Sequence, residues 1–268
     1  MSGFSASWLE LREPYDLRAR SPAVIAAVVA ALADRPSVTI ADLACGTGST
    51  LRALMPRIKA RQNWRLFDND LSLLARAPQS SPPNINVTTV PIDLNRDLEL
   101  ALDGPIDLVT TSALLDLVSD EWLQRLVIEV AARRLPVYAA LSYDGRIEFT
   151  PNDAADQKII AAVNAHQRTD KGFGAALGPA AAQAAVECFE RVGYTVVQGD
   201  ADWMFGPKDR EIQIETLSGW AAAARDLGKI PLVEVTEWLS RRRGLLAVGR
   251  SSIRVGHRDL FVRPTGTR

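Results

Sequence analysis

The chain has 268 residues, 47% of them apolar and 24% charged, with 31 lysines and arginines against 32 aspartates and glutamates. That mix supplies a full core for one domain of generous size, or two small ones, and excludes a wholly disordered chain, a collagen-like chain and a disulfide mini-protein. The near-cancelled charge leaves no global field to recruit nucleic acid or an anionic membrane. Two cysteines and two histidines offer neither a disulfide framework nor a zinc spacing, so no metal is expected. The longest apolar stretch, Ala23 to Ala33, is short for a bilayer span, and the first sixteen residues carry acids where a signal peptide needs lysines. The expectation is a cytoplasmic protein.

Along the chain, residues 1–20 are mixed and charged, and Ser21-Pro22 then starts a helix that runs to about Leu32. Ser37 to Leu43 reads as a first strand that stops at Ala44-Cys45-Gly46-Thr47-Gly48, and a helical period follows through Leu51, Leu54, Met55 and Ile58. Trp64 to Phe67 is a second strand ending in Asp68-Asn69-Asp70, and Leu71 to Arg76 a helix. Ile85 to Ile92 is a third strand ending in Asp93, and Ile106 to Thr110 a fourth. Ser119 caps a helix that ends before Pro136. Val137 to Tyr143 is a fifth strand, and Asp144-Gly145 signals a hairpin returning through Phe149. An alanine-rich helix at Ala175 to Val186 precedes a sixth strand, Tyr194 to Val197. The seventh, Ile253 to Val262, follows a long connection that contains an amphipathic helix with Leu232, Val235, Leu239 and Leu246 on one face. Strands alternating with helices at this spacing argue for a parallel sheet covered on both faces.

The sharpest chemical signal is the glycine-rich turn between first strand and helix, which lets backbone approach a ligand and aims free N–H groups at it. Ligands of open α/β sheets bind outside the carboxyl ends of the strands. Three acids fall on that edge: Asp42 near an amino group, Asp68 where a carboxylate can accept both ribose hydroxyls, and Asp93 where it can receive an adenine amino group. Neither the third glycine of a dehydrogenase turn nor the Gly-Lys-Ser/Thr of a P-loop is present.

This arrangement resembles the class I S-adenosylmethionine-dependent methyltransferases. Asp42 to Gly48 looks like the family's first motif, with Ala44 in place of its first glycine, and Phe67 to Ala77 like its second. Pro91-Ile92-Asp93-Leu94 looks like the adenine-binding segment, and Asp107 to Ser112 with Leu114-Leu115 like the fourth strand and the loop beneath the methyl donor. The resemblance covers residues 21–143 and is loose elsewhere. It implies a three-layer α/β/α sandwich with seven strands in the order 3-2-1-4-5-7-6, the last antiparallel. One domain would span residues 1–268, with 1–20 covering the cofactor and 146–190 and 203–250 inserted on the substrate side. The cofactor would be S-adenosyl-L-methionine, held by Arg20, Asp42, Ala44, Cys45, Gly46, Gly48, Asp68, Asn69, Asp93, Leu94 and Thr111.

Methyl transfer needs positioning, plus a base where the nucleophile carries a proton. His166, which opens a glycine-punctuated stretch after strand five, is the expected base or substrate ligand, beside the reading of a solvent-exposed helix end. Asp170 and Lys171 are expected polar contacts, and Tyr15 and Tyr143 further substrate candidates. His257 is read as an ordinary strand histidine. The C-terminal arginines, Arg241 to Arg268, are read as a solvated helix face and a charged edge strand, against the alternative of an RNA-binding stripe. The expected function is methyl transfer to a small-molecule acceptor. The alternatives are a non-catalytic S-adenosylmethionine or nucleotide-binding module and an RNA-directed methyltransferase. Neither membrane nor nucleic acid is an expected partner, and the oligomeric state is left open.

Overall fold

The computed structural model describes residues 4–77 and 82–266. Eight strands form its sheet: β1 (Ser37–Leu43), β2 (Arg61–Asp68), β3 (Ile85–Pro91), β4 (Leu108–Ser112), β5 (Val137–Thr150), β6 (Tyr194–Asp200), β7 (Trp203–Phe205) and β8 (Ser252–Pro264). The order is β3-β2-β1-β4-β5-β8-β6, with β7 also pairing β8. Strands β1 to β5 run parallel, and β8 is antiparallel to β5 and β6. The expected order therefore holds, with one strand more than expected, because β7 continues the line of β6 along β8 after a break at Ala201 and Asp202.

Among the described residues the α-helices are α1 (Ala6–Ala19), α2 (Pro22–Leu32), α3 (Ser49–Leu54), α4 (Leu71–Leu74), α5 (Leu98–Ala101), α6 (Asp120–Ala132), α7 (Asp156–His166), α8 (Ala181–Arg191), α9 (Arg210–Leu227) and α10 (Leu232–Ala247). Side chains of β1 alternate between two cores, as the twofold period of a strand requires. Ala41 and Leu43 join α6 and α8, while Val38 and Ile40 join α2 and α3. Both faces are buried, so the strand reads as a near-continuous apolar run. Among the described residues, no helix is long and apolar enough to cross a membrane.

A third core sits beyond the carboxyl edge of the sheet. The pairing of β4 with β5 ends at Ser112 and Ala140, yet β5 continues to Thr150, paired with β8. A two-stranded ribbon is marginal by itself. Here α7, α9 and α10 cover it, burying Phe149, Ile159, Phe205, Leu217 and Trp238. The expected hairpin at Asp144-Gly145 is instead a bulge within one continuous strand, where the register shifts between Tyr143 and Ile147. Gly145 takes φ +87°, and Asp144 Oδ1 accepts the Arg146 N–H. The opposite strand leaves room for this bulge by having no side chain: a Cβ on Gly256 would lie 2.2 Å from Asp144 Oδ1 and 2.8 Å from Arg146 Cβ. The extra residues twist the ribbon rather than reverse it.

The C-terminal arginines serve this region. The expected charged edge strand is an interior one, since β8 lies between β5 and β6. Arg242, expected on a solvated helix face, is fully buried. Its guanidinium pairs with Asp156, donates to the Pro151 carbonyl at 2.7 Å and lies over the Phe149 ring. Arg241 pairs with Asp153, Arg254 with Asp202 and Glu148, and Arg258 with Asp200 and Asp144. Arg268 lies outside the described residues. Removing one partner of a buried ion pair strands the other charge. Arg242→Ala is expected to destabilise the protein by about 3–5 kcal/mol, measured by denaturant unfolding, whereas Arg241→Ala, on the solvent-exposed side, should leave the unfolding midpoint nearly unchanged.

Candidate functional site

The glycine-rich turn sits at the carboxyl end of β1. Gly46 and Gly48 take φ +54° and +85°, and Gly48 caps α3. Ala44 is also left-handed, at φ +53°, a strain of roughly 1 kcal/mol for a residue with a Cβ. The turn is tied to β2 by the Cys45 N–H donating to the Phe67 carbonyl at 2.9 Å and the Gly46 N–H to Asp68 Oδ2 at 2.8 Å. Asp68 Oδ1 accepts the Asp70 N–H at 3.0 Å. The carboxylate thus holds the turn and keeps a lone pair on each oxygen. Helix α1 lies across the turn: a Cβ on Gly46 would stand 3.2 Å from Leu9 Cδ1. Arg52 links α3 to α1 by donating to Glu13 Oε2, and it also holds the Thr47 carbonyl, each at 2.6 Å.

Two buried ionisable groups, Asp42 and Arg20, lie near the turn. Asp42 is fully buried, and Oδ1 accepts the Thr110 hydroxyl at 2.7 Å while Oδ2 has no partner. Burial pushes its carboxyl up to about 7, aided by the charge of Asp68 and opposed by the Thr110 hydrogen bond and by Arg20 and Arg52. Arg20, 3% exposed, lies over the Tyr138 ring and donates to hydroxyls: Tyr138 at 3.2 Å, and Thr50 and Ser112 each at 3.3 Å. Its Nε is buried without a partner, and among the described residues no carboxylate lies in ion-pair reach. A carboxylate oxygen lacking a donor and a guanidinium lacking an anion are costly to bury. Together they suit a ligand with an ammonium and a carboxylate.

The remaining cofactor candidates line the same edge with unequal involvement. Thr111 donates to the Leu43 carbonyl and fixes β4 to β1. Cys45 is buried and its thiol pushed up by burial and by Asp42 and Asp68, so it is inert. Asn69 and Asp93 are exposed at the ends of β2 and β3, and Asp93 accepts the Asn95 N–H at 2.9 Å. Leu94 is buried and its carbonyl accepts the Trp122 indole N–H.

The stretch after α7 comes back to this edge. Asn95 donates to the Gly172 carbonyl at 3.0 Å and Phe173 packs edge-on to Trp122. Asp170 Oδ1 accepts the N–H groups of Gly172 and Gly174, so this carboxylate shapes the loop. His166 and Lys171 stand together, Nδ1 to Nζ 3.2 Å, with Asp226 of α9 3.9 Å from His166 Nε2. Partial burial and Lys171 push the imidazole down, and partial burial pushes the Lys171 amine down. Among the described residues, no hydrogen bond or ion pair joins His166 to the glycine turn. Tyr15 faces the ribbon core, donating to Asp209 and packing edge-on to Phe205. Tyr143 is buried beside the bulge, with its hydroxyl donating to Asn164 at 2.7 Å.

One group escaped the sequence reading, and His257, read as an ordinary strand histidine, lies in a polar network. Asp116 follows Leu114-Leu115 in the 3₁₀ turn after β4, buried, with Oδ1 lacking a partner and the Tyr143 N–H against its carboxylate. Its only sequence signal is its place just past the fourth-strand loop. His257 pairs with Tyr143 across β5 and β8, stacks against Trp203 and holds the Val255 carbonyl through Nδ1. Burial and the Arg12 charge push it down to about 4, so the ring is neutral near pH 7. Arg12 pairs with Asp16, which also accepts the Trp203 indole N–H, closing a polar network between α1 and the ribbon.

Residues 40–135 match the family profile of a methyltransferase domain. No curated protein sequence matches the chain. Among solved structures, a cyclopropane-fatty-acyl-phospholipid synthase-like protein from Lactobacillus casei is 15% identical with a TM-score of 0.50, covering 96% of this chain and 94% of that one. A methyltransferase from Geobacter sulfurreducens, solved with S-adenosyl-L-homocysteine, is 14% identical with a TM-score of 0.47 over 98% of this chain and all of its own. The cyclopropane synthase MmaA2 of Mycobacterium tuberculosis is 11% identical, at 0.48, over 96% and 97%. At 15% identity the likeness to the Lactobacillus casei protein is one of fold alone.

The raised carboxyl of Asp42 has a consequence for stability. A carboxylic acid whose folded value lies above its unfolded value stabilises the fold while protonated, and that contribution fades as pH rises through the window between the two. Relative to Asp42→Asn, the native protein should lose stability from about pH 4 to about pH 7 and stay level above, read from denaturant midpoints across that range.

Proposed function

We propose that the chain uses its methyltransferase domain, of the class I S-adenosylmethionine-dependent family, to move a methyl group onto a small-molecule acceptor by in-line displacement. The observation that carries this reading is the pair of buried, unpaired charges near the glycine turn, Arg20 and Asp42. S-Adenosylmethionine presents a carboxylate to the first and an ammonium to the second. Asp68 accepts the ribose hydroxyls with the lone pairs left over from Gly46 and Asp70. Ala44, Cys45, Gly46 and Gly48 give backbone access, Asn69, Asp93 and Leu94 border the adenine, and Thr111 belongs to the floor. The cofactor supplies a methyl group already activated on a sulfonium. What the protein adds is placement and the exclusion of water.

Several features favour a small acceptor over a polymer. α1 and the helix-covered ribbon wall the carboxyl edge, and Tyr143 stands on that wall beside His257. Tyr15 and the segment of His166, Asp170 and Lys171 extend it on the outer sides. Of the C-terminal arginines that would serve RNA, Arg241, Arg242, Arg254 and Arg258 are matched with carboxylates. The reading of residues 1–268 as one domain, with 1–20 as its cover, rests on α1 packing against the glycine turn.

Incubation with methyl-labelled S-adenosylmethionine and a small-metabolite extract should yield labelled product below the cut-off of a filtration membrane. Label only on RNA contradicts the small-molecule acceptor, and binding without transfer to any fraction favours the non-catalytic module. Arg20→Ala and Asp68→Ala should each weaken binding of S-adenosylhomocysteine about tenfold to a hundredfold, the loss of a charge-assisted hydrogen bond. Calorimetry reads this without any acceptor.

A further inference from the structure

We propose that Asp116 accepts the proton of the methyl acceptor, and that the acceptor is a hydroxyl or amine whose O–H or N–H donates to Asp116 Oδ1. This rests on the methyltransferase reading above. Ala113, at φ +51°, turns the chain out of β4, and the following 3₁₀ turn carries Leu115 into the core between sheet and helices. Asp116, next along, is 5% exposed. The backbone N–H groups of Asp116 and Tyr143 favour its charged form, and Oδ1 is buried without a hydrogen-bond partner. Buried carboxylate oxygens are rarely left unpaired, because the missing hydrogen bond costs the full desolvation of the group.

The position joins the two halves of the site. Ser112, at the end of β4, touches Arg20 on one side. On the other, Tyr143 and His257 begin the ribbon. Leu9 and Arg12 lie one turn apart on α1: the first packs on Gly46, and the charge of the second acts on Asp116. α1 thus packs on the glycine turn and brings the Arg12 charge to bear on this carboxylate. An acceptor between β4 and β5 meets Asp116 beside the place where the methyl group arrives.

The surroundings set its basicity. From α1 the charge of Arg12, itself paired with Asp16, acts on it, and from β5 it meets Tyr143, whose hydroxyl is committed to Asn164. The 3₁₀ turn Gly178–Ala180 carries no charge, and the charged residues of α8, Glu187, Glu190 and Arg191, are exposed. Burial is the dominant influence and pushes the carboxyl up to about 6, against the two backbone hydrogen bonds and Arg12. A base tuned close to the working pH takes a proton from a nucleophile and returns it to solvent without great cost in either direction. In the transfer, the bond from the acceptor oxygen or nitrogen to the methyl carbon forms. The sulfur–carbon bond breaks with its electron pair left on sulfur, and the acceptor proton passes to Oδ1, turning carboxylate into carboxylic acid. A carboxylate acceptor has no proton to give and would be repelled by Asp116 above pH 6.

The test uses the full chain, methyl-labelled S-adenosylmethionine and a panel of small phenols, catechols and primary amines, with carboxylic acids of matched size as controls. Transfer is expected to the hydroxyl or amine compounds, with a rate that rises through about pH 6. Asp116→Asn should lower it about a hundredfold or more and abolish that rise, while binding S-adenosylhomocysteine within about threefold of wild type. Asp116→Glu should keep part of the rate. Infrared titration reads the carboxyl without an acceptor, as a protonated band that disappears near pH 6 in the wild type and is missing in Asp116→Asn. Transfer by Asp116→Asn within about threefold of wild type overturns the proposal. So does transfer confined to the carboxylic acids, or transfer to no hydroxyl or amine by a protein that binds S-adenosylhomocysteine. Failure of the wild type to bind S-adenosylhomocysteine would refute the methyltransferase reading itself.

Discussion

One buried carboxylate holds together the elements on which the site depends. Asp259, on β8, is fully buried. Its Oδ1 accepts the N–H of Leu141, a residue at φ +54° that the irregular pairing of β5 leaves without a strand partner. Its Oδ2 accepts the Ser21 N–H at 2.9 Å and the Tyr138 hydroxyl at 3.1 Å. Burial pushes this carboxyl up, and the three donors and the nearby Arg20 counter it. Negative charge at the start of α2 is favoured by the helix dipole. With Ser21 clamped, the residue before it has little freedom, and the Arg20 guanidinium is delivered to Tyr138, Thr50 and Ser112. The unpaired cation at the heart of the site is therefore a product of the sheet.

The same irregular stretch of β5 decides what lies above the sheet. Had β5 ended level with β4, the carboxyl edge would be open. Because β5 and β8 run on through the bulge against Gly256, they present an apolar ribbon that has to be covered. α7, α9 and α10 do so, and their own polar demands are met by Asp156, which binds the Arg242 guanidinium and the Trp238 indole N–H. Cofactor edge and acceptor wall are thus made by different parts of the chain and meet at α1, β4 and β5.

This division explains which parts of the fold and site were legible in the sequence. β1 to β4 are buried on both faces or end in short polar turns, so apolar runs and the Asp42–Gly48 turn mark them locally. Asp42 and Asp68 were found by their place at strand ends, and both lie at the turn. α1 left no such mark, because its buried residues include Arg12 and Asp16 and Pro14 lies inside it. Asp144-Gly145 signals a reversal, yet a left-handed glycine serves a bulge equally well, and only the glycine on the opposite strand distinguishes the two. Asp259, Asp116 and His257 act through partners distant in sequence, as the span of 238 residues between Ser21 and Asp259 illustrates. Local pattern carries no trace of such pairs. His166 stood out by its loop, but its ring stands against Lys171 of that loop and Asp226 of α9.

The central claim is that the unpaired charges of Arg20 and Asp42 form the seat of a sulfur nucleoside carrying an amino acid. Calorimetric titration of the purified protein with S-adenosylmethionine, S-adenosylhomocysteine, NAD and ATP tests it most directly. The account predicts saturable binding of the two sulfur nucleosides and none of NAD or ATP, because only the former carry both an ammonium and a carboxylate. Binding of NAD or ATP in their place, or of none of the four, would contradict it.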